Sequence, residues 1–237
     1  NVRRRDHHRA MQIEFDLLSN ARDSLDRAHE LIAYGDREHE ARRLKQAVQS
    51  VAHAIELLMK ERLRRLHPSL IWEQVDKYPN LNARTVSTEL AASRLQNIGG
   101  LTFRQADLNL LRSLRATRNA IEHFSWTTTK PEADAIVGRA LEFAYHFAQK
   151  ELDFNYLDYA AHKDGTYADL IADNPEFKRS LEDRRANALP DPESIPLHCS
   201  FCRAISVDPS SRACRLCGHW EPARSAWDGN LDDDIPF

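Results

Sequence analysis

Residues 101–126 read LTFRQADLNLLRSLRATRNAIEHFSW, and the rest of the chain is read outward from this stretch. Phe103, Leu110, Leu114, Thr117, Ile121 and Phe124 recur at spacings that average the helical period, so they form an apolar stripe that needs a core to face. Thr102 is placed to N-cap this helix. Gln105, three residues on, completes a capping box that satisfies free backbone N–H groups of the first turn. At about 100° per residue, Arg112, Arg115, Arg118, Asn119, Glu122 and His123 fall within an arc of roughly 120–140° on the opposite side. Arg118 and His123 lie roughly 140° apart around the axis, so one helix alone does not aim both at a single phosphate. A second copy across a two-fold axis could bring two Arg/His pairs into one cleft. Such a face also has a plainer use, because rows of charge commonly just meet water.

The flanking sequence stays helical. A first helix is predicted from about Arg4 to Tyr34, with Met11, Phe15, Leu18, Ala21, Leu25, Ala28 and Ile32 inward, ended by Gly35-Asp36. A second runs from about Arg37 to Leu66 on the stripe Leu44, Val48, Val51, Ile55, Leu58 and Leu66. Glu56 sits at the edge of that stripe, where a carboxylate needs a partner. Lys60, four residues on, is one. His67-Pro68 stops the helix, and a looser segment follows to Asn82, with Trp72 read as core. A short helix over Thr85 to Asn97 then reaches Gly99-Gly100. This pair is a turn, since it lacks the lysine and strand context of a phosphate loop. Thr127-Thr128-Thr129-Lys130-Pro131 starts a last long helix to about Leu152, with Ile136, Ala140, Phe143 and Phe147 inward. Four main helices and a minor one predict an all-α, up-down helical bundle.

At 237 residues the chain can bury one substantial core and carry a small module. Seven glycines and few alternating β-branched runs agree with mostly helix. A net charge of −3 gives no global attraction to nucleic acid, so an RNA site must be a local patch. The basic start NVRRRDHHRAMQ has no apolar region behind it, so it does not read as a secretory signal. No apolar run approaches membrane-spanning length. All four cysteines form two C-x-x-C pairs near the end, a pattern for metal ligation in a reducing compartment, so a cytoplasmic location is expected.

Arg118-Asn119-Ala120-Ile121-Glu122-His123 resembles the R-N-x-x-x-H form of the Arg-x(4–6)-His signature of HEPN domains, helical bundles of prokaryotic toxins, defence systems and several eukaryotic RNases. Ala52-His53-Ala54-Ile55-Glu56-Leu57-Leu58-Met59-Lys60 is similar to the E-L-x-x-K helix that often precedes that signature. The resemblance covers about residues 1–152. It implies a metal-independent endoribonuclease working as a homodimer, in which the 2′-hydroxyl attacks the adjacent phosphate. Arg118 and His123 would be catalytic, with Glu56 beside them. Asn119, one turn before His123, could orient the imidazole, while Arg112 and Arg115 would hold flanking phosphates. The resemblance also implies a toxin or antiviral defence role, with an antitoxin or sensor protein as a further partner. Toxins paired with a nucleotidyltransferase antitoxin carry a tyrosine two residues after the histidine. Here that position is Ser125.

Beyond the bundle, residues 153–188 read as a polar helical extension whose aromatics Phe154, Tyr156, Tyr159, Tyr167 and Phe177 pack on the bundle or a partner. Residues 189–197, with Pro190, Pro192 and Pro196, form a stiff linker. In residues 198–222, Cys199, Cys202, Cys214 and Cys217 have the spacing of a zinc ribbon. Four thiolates fill a tetrahedral Zn²⁺ shell and leave no position for water, so the zinc is expected to be structural. Gly218 suits a turn needing positive φ, and His198 and His219 read as spectators. Arg203, Arg212 and Arg215 with Phe201 and Trp220 could grip RNA, or the ribbon could contact protein. Residues 223–237 form an acidic tail. The competing reading of the whole is a non-catalytic helical adaptor that binds RNA or protein through the ribbon.

Overall fold

The computed structural model describes residues 15–33, 39–156, 166–185, 197–217 and 219–222. Residues 189–196 of the predicted linker, the acidic tail, Gly218, and the part of the first helix before residue 15 lie outside the described residues, while Leu197, the linker's last predicted residue, belongs to a strand. The chain is mostly helical. Its described elements are α1 (Leu17–Ala33), α2 (Glu40–Leu66), α3 (Thr88–Asn97), α4 (Gln105–His123), α5 (Lys130–Leu152), α6 (Thr166–Asp173), α7 (Pro175–Arg185) and the short strands β1 (Leu197–His198) and β2 (Ile205–Val207). They fall into two compact units, 1–156 and 157–237.

The first unit is built around α2, which packs against α1, α3, α4 and α5. Helix directions follow from paired side chains at successive levels. Arg43 donates to the Leu31 carbonyl (2.8 Å) and His53 sits 2.9 Å from Ser24, so α1 and α2 run antiparallel. Lys130 faces Glu40 (3.5 Å) at one end and Arg65 donates to the Leu152 carbonyl (2.9 Å) at the other, so α2 and α5 run parallel. Phe103 stacks on Phe147 at the far end of α5, and α4 therefore runs opposite to α5. The four long helices thus alternate in direction along the chain. Alanines at 21, 28, 47, 54, 140, 144 and 148 are fully buried, which lets backbones approach, and Phe147, Leu25, Ile55 and Met59 fill the space between. Each fully buried large side chain contributes about 2–3 kcal/mol. After α5, Asp153 takes a left-handed turn (φ 54°), and Phe154 and Tyr156 fold back onto the bundle. The Arg22 guanidinium covers the Phe154 ring at 4.0 Å, and Tyr156 donates to Asp26 (2.7 Å).

Several predicted boundaries are corrected. The first helix starts at Leu17, because Asp16 caps it by accepting from the Ser19 N–H (2.7 Å), and Phe15 is left 60% exposed. The helix of the opening stretch is not capped by Thr102 and Gln105. It begins at Gln105, where Asp107 reaches back to the Arg104 N–H (3.3 Å) and guanidinium (3.0 Å). Asp107 is itself buried, so this charged pair wins over a neutral cap on the exposed side. Phe124 does not face the core: it is the first residue past α4 and is 83% exposed, while Leu111, outside the predicted stripe, is buried. Leu66, at the last residue of α2, is exposed for the same end-of-helix reason.

Other expectations hold. Trp72 is buried and donates its indole N–H to the Asn80 carbonyl (2.8 Å). Gly100 has φ +70° in the turn before α4. Thr129 and Glu132 form the capping box of α5.

In the second unit, Leu170, Ile171, Phe177 and Leu181 form the buried faces of α6 and α7, while β1 and β2 pair antiparallel beside the cysteines. Tyr159 and the Tyr167 side chain lie outside what the structure describes.

Candidate functional site

His53, Glu56 and Lys60 stand on one side of α2 because steps of three and four residues share a helix face. Opposite them, α4 presents Arg115, Arg118 and Asn119. The Glu56 carboxylate joins the two helices: one oxygen accepts from Lys60 Nζ (2.6 Å), the other from Arg118 Nη1 (2.9 Å). Lys60, nearly buried, also donates to Thr85 Oγ1 (2.8 Å). Arg118 Nε donates to Glu122 (2.8 Å) on its own helix. Burial alone would raise the Glu56 carboxyl, but the hydrogen bonds and charges of Lys60 and Arg118 outweigh it and hold the group below its ordinary range. Burial likewise opposes the Arg118 charge, and Glu122 and Glu56 more than restore it, so the guanidinium stays cationic.

His53 is the residue that motif reading left unassigned. Its Nδ1 lies 2.9 Å from Ser24 Oγ, whose proton goes to the Asn20 carbonyl (3.0 Å). The serine therefore accepts from Nδ1–H. Burial lowers the His53 pKa, with Arg118 and Lys60 pushing the same way against Glu56. The signal in the sequence was its place one turn before Glu56. Nothing in the sequence pointed to Ser24 or Thr85.

A cleft of about 90 Å³ opens beside Arg118, lined by Glu56, Ser87, Thr88, Arg115 and Asn119 over a floor of Ile55 and Leu111. This is room for about three waters or a phosphoryl group. Arg115 is ion-paired with Glu89 of α3, and Arg112 folds onto Leu108 and Asn109 of its own helix. His123 ends α4 with its side chain 66% exposed, 3.9 Å from Glu122 and outside the cleft lining. No hydrogen bond joins Asn119 to His123 among the described residues; Asn119 lines the cleft instead. One copy of the chain thus brings together Glu56, Arg118, Asn119 and Arg115, and leaves His123 and Arg112 facing solvent.

The four cysteines make a separate site. Their Sγ atoms are buried and lie within 4.8 Å of one another, with Cys199–Cys217 and Cys202–Cys214 both at 3.6 Å. Thiolates around Zn²⁺ at about 2.3 Å stand roughly 3.8 Å apart, so the donor set fits a structural zinc ion. The Cys202 and Cys217 N–H groups each point at the sulfur three residues back (3.5 Å), as a tight knuckle requires. Arg203 (φ 59°) makes the left-handed turn after the first pair. Without a metal, hydrogen bonding among the sulfurs pushes Cys214 down and Cys202 up from the usual thiol range. A dication offsets the charge that four adjacent thiolates would carry. His219 stacks on Phe201 (5.4 Å) outside this sulfur set. Arg212 is spent on the carbonyls of Glu221 and Pro222, and Arg215 on Asp208. Of the predicted basic and aromatic grip, Trp220 is 59% exposed and Arg203 faces solvent.

No family model, curated protein or solved structure matches the chain. Among the described residues, no helix is long and apolar enough to cross a membrane.

Proposed function

We propose that the chain is a HEPN-type endoribonuclease that acts as a homodimer without a catalytic metal, in a toxin or antiviral defence role. The observation that carries this reading is the Glu56–Arg118 ion pair, which joins the two motif-bearing helices and keeps the guanidinium charged beside a phosphate-sized cleft. His123 stands at the exposed end of the same helix, where a second copy can bring its own Arg/His pair alongside. An imidazole takes the proton from the RNA 2′-hydroxyl as that oxygen attacks the adjacent phosphorus. The P–O5′ bond breaks, and the leaving 5′-oxygen receives a proton from the paired subunit's imidazole, giving a 2′,3′-cyclic phosphate and a 5′-hydroxyl end. Arg118 stabilises charge on the non-bridging oxygens with its planar fork. The zinc ion is structural and takes no part in these steps.

A second reading rests on the same cluster. Arg118 is held by two carboxylates and Arg115 by a third, which leaves little positive charge for RNA and favours a non-catalytic adaptor. Incubating the chain in EDTA with an oligoribonucleotide and its DNA counterpart separates the two. The nuclease cuts the RNA and spares the DNA, which has no 2′-hydroxyl. Cutting of both would remove the proposed chemistry, and intact RNA at high protein concentration would favour the adaptor.

A further inference from the structure

A larger cleft, of about 390 Å³, opens at the end of the bundle where α2 and α5 begin, and no step above uses it. Leu44 and Ala133 make a buried apolar floor, and Trp126 and Lys45 stand on its walls. Trp126 is half-buried, with no aromatic neighbour and no acceptor for its indole N–H among the described residues. Part of a large aromatic ring therefore borders the space. Lys130 also lines the cleft, but Asp134 (2.5 Å) and Glu40 (3.5 Å) neutralise it. Lys45 makes no ion pair among the described residues, so although Glu40 and Asp134 balance the two lysines in net charge, its exposed ammonium is the one cation here left open to an anion. The volume lies within the range of small-ligand pockets. A flat aromatic surface, an apolar floor and a single cation match a ligand made of one planar ring system and one anionic group.

We propose that this cleft takes a single nucleotide, its base against Trp126 and its phosphate at Lys45. The inference rests on the nuclease reading for the source of that nucleotide. Trp126 follows His123 by three residues, a span of at most roughly 11 Å, so one RNA strand can touch both. The cleft then holds a base flanking the scissile linkage, by the stacking that single-strand binders use for any sequence.

The test is binding, measured in the His123→Ala chain so that no RNA is lost to cleavage, with a short single-stranded oligoribonucleotide, AMP and inorganic phosphate as probes. Trp126→Ala should weaken oligonucleotide binding about tenfold or more, and Trp126→Phe should restore most of it. Lys45→Glu, on an exposed side chain, should weaken binding and reduce its salt dependence. AMP binding with the same dependence on Trp126 assigns the site to free nucleotides as well, whereas oligonucleotide binding alone restricts it to RNA. Unchanged affinity in Trp126→Ala and Lys45→Glu at unchanged melting temperature overturns the proposal. So does binding of inorganic phosphate alone, or of none of the probes. Cleavage by chains that keep His123 is read in parallel. Absent cleavage with Trp126-dependent binding defeats the nuclease reading and leaves this cleft standing; normal cleavage with Trp126-independent binding defeats the cleft alone.

Discussion

At the scale of single residues, Glu56 divides its two oxygens between Lys60 and Arg118, and His53 lies one turn away with its pKa pushed down by burial. Both groups have folded pKa values below their ordinary ones, 6.5 for the histidine and 4.5 for the carboxyl. The unfolded chain therefore takes up these protons first as the pH falls. Stability from neutral His53 is complete above 6.5 and is lost as the pH drops through its folded value; that from Glu56 is complete above 4.5 and lost below its own. Urea midpoints should accordingly decline across mildly acidic pH, and His53→Gln should flatten that decline. A midpoint that rises on acidification would contradict the assignment. The Lys60 partner was legible from the four-residue spacing, and Arg118 from the motif. Ser24 and Thr85 were not, since contacts across 29 and 25 residues depend on how helices pack and not on local spacing.

At the scale of elements, helix interiors were readable from apolar periodicity while their ends were not. The stripe Leu110–Leu114 is buried as its period requires, but Asp107 and Arg104, not Thr102 and Gln105, begin α4. A buried carboxylate with a charged partner dominates a cap, and its burial is invisible before the fold is known. The preceding turn can be tested directly. A Cβ on Gly99 would lie 2.7 Å from the Leu95 carbonyl oxygen, which is backbone and cannot swing away, whereas a Cβ on Gly100 meets nothing within 4 Å and suffers only from φ +70°. Gly100→Ala should cost about 1 kcal/mol, and Gly99→Ala about 2–3 kcal/mol from overpacking. Urea unfolding of both variants reads the difference; the reverse order would mean that the turn is built otherwise.

At the scale of the whole molecule, an α2-centred bundle and a cysteine module are held by different physics. The bundle rests on buried apolar side chains, the module on sulfur atoms spaced for a metal. The sequence showed both, because helical periodicity and C-x-x-C spacing are local patterns. Strong chelation should remove about one zinc per chain and unfold the module, with far-ultraviolet helical signal largely retained. Loss of helix in step with the metal would tie the two together.

The account turns on Arg118 and His123 acting on one RNA linkage. The measurement that reaches this most directly is a time course of end-labelled RNA in excess EDTA with the parent chain, Arg118→Ala and His123→Ala, each checked for folding and for dimer mass. The account predicts fragments ending in cyclic phosphate from the parent and intact RNA from both variants. Cleavage that survives either substitution would contradict it.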